Sequence, residues 1–71
     1  MKNVRDLFQN ALKLHQNGDL AAAERSYRKI LEIDPVHVDV LFLLGTLQLQ
    51  VGNLDTADTL LKKVILMKPD Y

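Results

Sequence analysis

Apolar residues fall along the chain in four blocks of helical spacing, parted by two glycine turns and one Asp-Pro step. In the first block Val4, Leu7, Phe8, Ala11, Leu12 and Leu14 recur at three- and four-residue intervals, which predicts a helix from about Asn3 to Gln16. Arg5, Asp6, Gln9, Lys13 and Gln16 fall on its wetter side. The second block predicts a helix from about Leu20 to Ile33, with Leu20, Ala23, Tyr27, Ile30 and Leu31 inward and Ile33 near its end. Arg25, Arg28, Lys29 and Glu32 face water, and Glu24 and Arg28 stand in the favourable i,i+4 order, worth ~0.3 kcal/mol. The third block, Val38 to Val51, carries apolar side chains around most of its circumference. A helix of that kind needs cover on several sides, so it is expected to be central. Its polar residues Asp39, Thr46, Gln48 and Gln50 form no single continuous face. The fourth helix is expected from about Leu54 to Met67. Leu54, Ala57, Leu61 and Val64 form its stripe, widened by Leu60, Ile65, Leu66 and Met67.

The stops between blocks have a chemical basis. Asn17-Gly18-Asp19 ends the first helix, because glycine enters the left-handed region without a Cβ clash. Asp19 is then placed to cap the second helix. Val51-Gly52-Asn53 is expected to repeat the same stop, turn and cap. Asp34-Pro35 and Lys68-Pro69 close the second and fourth helices, since a residue before proline is pushed out of the helical region.

The two halves correspond at a constant offset of 34 residues. Gly18 matches Gly52, Leu20 matches Leu54, Ala23 matches Ala57, Lys29 matches Lys63 and Pro35 matches Pro69. Val4, Leu7, Phe8, Ala11 and Gln16 match Val38, Leu41, Phe42, Gly45 and Gln50. A fixed period of this length signals helical hairpins, each too small to bury its own apolar face.

On these residues the chain resembles the tetratricopeptide repeat family over nearly its whole length. One repeat is expected over residues 4–37 and a second over 38–71, as a single domain or a piece of a longer array. The family's small residue at the helix crossing is matched by Ala11 and Gly45, and its turn glycine by Gly18 and Gly52. Its second-helix small residue is matched by Ala23 and Ala57, the bulky residue a turn later by Tyr27 and Leu61, and its closing proline by Pro35 and Pro69. Asn10, where the family prefers leucine, and Ile30 and Val64, where it prefers a small residue, depart from the pattern.

The resemblance implies an all-α fold of two stacked antiparallel helix-turn-helix hairpins, the start of a superhelical α-solenoid. It implies a non-catalytic scaffold or adaptor that binds a peptide or protein segment in a concave groove. Carried over by position, that groove takes Arg5, Phe8, Leu12, His15 and Gln16 from the first repeat. Asp39, Phe42, Thr46, Leu49 and Gln50 come from the second. Packing between repeats is an alternative role for Phe8 and Phe42. The lysine and asparagine clamp with which some members hold a carboxylate tail is absent: Phe8, Leu12 and Leu43 stand at its positions. A fourth helix without a successor leaves Leu60, Val64, Ile65 and Met67 to be covered by something else. Self-association as a homodimer or larger homo-oligomer is therefore an alternative function. A third is the repeat region of a larger enzyme, such as a glycosyltransferase.

Composition narrows this only slightly. Nine basic and nine acidic residues give no net charge, which argues against a general nucleic-acid or acidic-membrane binder. With 48% hydrophobic residues, neutrality also leaves little protection against self-association. There is no cysteine, so disulfides and thiolate zinc sites are excluded. His15 and His37 lack metal-ligand spacing, and no phosphate-loop, dinucleotide or nucleophile-elbow motif occurs; no metal or cofactor is expected. Asp34, Asp39, Asp55 and Asp58 read as solvated or helix-end carboxylates, and Arg25, Arg28, Lys29, Lys62 and Lys63 as a solubilising outer face. The mixed-charge start at Met1-Lys2-Asn3 does not resemble a signal peptide, and the apolar run at 40–51 is too short to span a bilayer. A cytoplasmic chain is the default expectation.

Overall fold

The computed structural model describes residues 3–71. Met1 and Lys2, which enter the signal-peptide argument, lie outside the described residues. Four helices follow in order: α1 (Val4–Gln16), α2 (Leu20–Ile33), α3 (Val38–Gln50) and α4 (Leu54–Met67). Among the described residues there is no strand. α1 packs with α2 and α3 with α4, and the chain divides into two compact units between Pro35 and Val36. Each unit is one helical hairpin.

In the first hairpin Asn3 caps α1: its side-chain oxygen accepts the Asp6 N–H at 2.9 Å. The helix ends in a Schellman turn. Asp19 N–H donates to the Leu14 carbonyl, and Gly18 N–H to that of His15, with Gly18 at φ 83°. Asp19 then caps α2 by accepting the Ala22 N–H at 3.3 Å. Ala11, Ala23, Tyr27 and Ile30 are fully buried. The Glu24–Arg28 pair forms at 3.0 Å on the solvated side, where an exposed pair adds only a few tenths of a kcal/mol (~0.3).

The second hairpin repeats the turn but not the cap. Asn53 N–H donates to the Gln48 carbonyl and Gly52 N–H to that of Leu49, with Gly52 at φ 85°. The expected cap on α4 is missing, because the Asn53 side chain is engaged elsewhere: its amide Nδ2 donates to Gln48 Oε1 at 2.9 Å. Gln48 itself is only 1% exposed, and its Nε2 has no hydrogen-bond partner. A buried amide drew the cap residue away because an unsatisfied buried acceptor costs more than a weak terminal bond contributes.

α3 is the most apolar element. Val40, Leu41, Leu44, Gly45, Leu47 and Gln48 are all buried. Burying a Val or Leu side chain fully contributes roughly 1.5–3 kcal/mol, so this one helix carries a large part of the hairpin's core. His37 caps it, Nδ1 accepting the Val40 N–H at 3.3 Å. Gly45 faces the Leu61 side chain of α4: a Cβ built there would lie 2.8 Å from Leu61 Cδ2 and 2.9 Å from its Cγ. Leu61 fills the room that glycine leaves here, and a larger residue would make that side chain shift.

Two expectations about α4 need correction. Leu54 is 65% exposed instead of lying in the inward stripe, since it is the first residue of the helix and projects past the packed turns. Leu60 and Val64 are buried, whereas only the flank of Ile65, Leu66 and Met67 stays open.

Candidate functional site

The expected site residues fall on two helix faces, one in each hairpin. On α1, Arg5, Phe8, Leu12, His15 and Gln16 are spaced by three or four residues, with one adjacent pair, and so share a side. Arg5 and Gln16 are exposed, and Phe8, Leu12 and His15 are half-buried. His15 is not a free surface group: its Nδ1 and the Tyr27 hydroxyl share a 2.8 Å hydrogen bond, and the two rings meet edge to face at 5.7 Å. That bond satisfies the one polar atom of a fully buried tyrosine. Burial raises the Tyr27 phenol above its ordinary value, since the charged form is the one desolvation penalises.

On α3, Asp39, Phe42, Thr46, Leu49 and Gln50 have the same spacing. Asp39, Phe42, Leu49 and Gln50 are exposed, Leu49 at 48%. Thr46 turns its hydroxyl back onto the helix, donating to the Phe42 carbonyl at 2.9 Å, which leaves its methyl group to the face. The α3 face is therefore an apolar pair, Phe42 and Leu49, with a carboxylate at one end and an amide at the other.

Phe42 also forms one wall of a cleft in the second hairpin. Its other lining residues are Leu61, Val64, Ile65, Lys68, Pro69 and Tyr71, around about 250 Å³ of space. Tyr71 leans over this cleft. Its ring lies 5.1 Å from Phe42, and its hydroxyl donates to Asp39 Oδ1 at 2.8 Å. The bond to Asp39 and, secondarily, burial and the carboxylate's charge raise the Tyr71 phenol above its ordinary value.

The structure thus ties Asp39 and Phe42 together through a residue the sequence reading missed. Tyr71 lies four residues beyond α4, where helical periodicity gives no signal. The available hint was an aromatic two residues after the closing proline, at the position matching His37. Of the four residues expected to be left uncovered on α4, Ile65 (60% exposed) and Met67 are open, with Leu66 (82%) between them. Leu60 and Val64 are part of the buried α3–α4 packing.

A model of the tetratricopeptide repeat family matches residues 14–71. The chain belongs to the tetratricopeptide repeat family. Neither the curated proteins nor the solved structures gave a match. Tetratricopeptide repeats are protein–protein interaction modules, and the matched span takes in α2, the turn glycines, the Gly45 crossing and both closing prolines. No helix among the described residues is long and apolar enough to cross a membrane, and no group of three or more acidic or histidine side chains there could hold a metal ion.

Proposed function

We propose that this tetratricopeptide repeat chain is a non-catalytic scaffold or adaptor that takes a peptide or protein segment on the exposed face of α3, with the face of α1 a further contact surface. The observation that carries this reading is the pair Phe42 and Leu49. Both are exposed apolar side chains on the helix that otherwise supplies most of its hairpin's core. An apolar pair flanked by Asp39 and Gln50 suits a segment whose buried anchor is apolar and whose edges are polar. Arg5, Phe8, Leu12 and Gln16 give α1 a similar mixture. Selection from a displayed peptide library on the immobilised chain tests it. Selected peptides are expected to lose at least about tenfold in affinity on Leu49→Glu, with the thermal melt unchanged, as for loss of one interface anchor. Binding that survives this substitution, and Arg5→Ala as well, would rule the faces out.

Self-association is a second reading, supported by the contiguous exposed residues Ile65, Leu66 and Met67 on α4. Sedimentation velocity over a hundredfold range of concentration is expected to show growing species that Leu66→Glu returns to the monomer. A monomer at every concentration removes this reading.

A further inference from the structure

We propose that the Asp39–Phe42 edge of α3, backed by Leu61 and Ile65 of α4, is a seat for a partner's tyrosine side chain, which Tyr71 fills in cis. This deepens the proposed interaction function and rests on it.

Tyr71 records the chemistry that the seat accepts. Its ring is tilted 52° over Phe42, and its hydroxyl reaches a carboxylate oxygen at 2.8 Å. Phe42 alone would take any apolar group. Asp39 adds a demand for a hydrogen-bond donor one ring-length away, which tyrosine meets and phenylalanine does not. The cis contact is also weakly held. Tyr71 remains 52% exposed, its hydrogen bond competes with water, and it contributes nothing to the buried core. A partner that brings a tyrosine together with contacts elsewhere on α3 can therefore displace it. Room remains beside it, because the cleft of about 250 Å³ exists with Tyr71 in place, lined by Leu61, Val64, Ile65 and Pro69. The partner that fits is a segment with a tyrosine next to an aliphatic residue: ring to Phe42, hydroxyl to Asp39, aliphatic group into the cleft. Tyr71 then acts as a competitor, lowering affinity for partners that offer only the ring.

The test uses two single-residue probes, N-acetyl-tyrosinamide and N-acetyl-phenylalaninamide, followed by shifts of the backbone amide resonances of Phe42, Leu61 and Ile65. In Tyr71→Ala the tyrosine probe is expected to bind at these residues about tenfold more tightly than the phenylalanine probe, the effect of one hydrogen bond to a charged acceptor. Adding Asp39→Ala is expected to abolish that preference. Equal binding of the two probes, or shifts confined to other parts of the chain, overturns the seat. Should Tyr71→Ala fail to fold, Tyr71→Phe keeps the ring stack. It is expected to yield to the tyrosine probe at about tenfold lower concentration than the unaltered chain, and no difference overturns the proposal. Shifts at Phe42 that grow with protein concentration and no probe would make a second copy's tyrosine the occupant, against a separate partner. Because these probes are smaller than any peptide, their failure leaves the Leu49 display result standing. Failure of the display leaves the probe result standing.

Discussion

The two hairpins follow one plan but satisfy their polar groups in opposite places. In the first, the buried polar atom is the Tyr27 hydroxyl, and His15 reaches across from α1 to meet it. The matching residues of the second hairpin are Leu49 and Leu61, which have no polar atom to pair. Leu49 is nonetheless exposed, one half of the apolar pair on α3. Conversely, the first hairpin carries Leu14 where the second carries Gln48. Asp19 is then free to cap α2, whereas Asn53 is drawn off to the buried amide and α4 starts without a side-chain cap. The placement of one polar group in each hairpin thus decides which neighbouring side chain is held in a hydrogen bond.

The sharpest way to break this comparison is to delete the matched bulky residues. Tyr27→Ala is expected to cost about 3–5 kcal/mol, since a fully buried aromatic leaves a cavity. Leu61→Ala, at a half-buried position, is expected to cost about 1–2 kcal/mol. Urea unfolding of both variants measures the difference, and equal losses would mean that the two positions are energetically alike. A smaller effect of opposite sign is expected from Gln48→Leu, which makes the second hairpin resemble the first. Removing the orphaned Nε2 donor is expected to stabilise by about 1 kcal/mol. The Asn53 side chain is freed to cap α4 as Asp19 caps α2. A loss of stability in the same unfolding assay would show that the Gln48–Asn53 bond outweighs the unpaired group.

The smallest expected effect is the pH response of Tyr71. Its folded phenol is raised above the ordinary value near 10, first by the bond to Asp39. The sign follows from linkage: the contact's contribution is complete below the ordinary value and is lost as pH rises through the higher folded one. The ring Cζ resonance of Tyr71 is expected to titrate above that of a free tyrosine amide, and Asp39→Ala to bring it down. The Tyr27 resonance, raised by burial alone, is expected to be indifferent to that substitution.

Much of this was legible in the chain itself. The 34-residue offset, the glycine stops and the proline closures fix four helices and two turns, because each acts on the backbone within a few residues. That Gly45 faces α4 was legible as a small residue at a helix crossing, but not that the Leu61 side chain fills the space. The exposure of Leu54 was not legible, nor that Leu60 and Val64 of the same stripe are covered within the chain. A stripe of helical spacing says which residues share a side, not which turn of that side meets a neighbour.

The same limit explains the candidate site. Sequence determined that Asp39, Phe42 and Leu49 lie on one face of a helix, since rotation per residue is a local property of the backbone. Only the tertiary structure decided that His15 belongs to Tyr27, that Asn53 answers Gln48 instead of capping α4, and that Tyr71 closes over Phe42 onto Asp39, 32 residues away. Such pairings depend on where two helices are brought together and on which polar atoms are thereby cut off from water. No period along the chain encodes either.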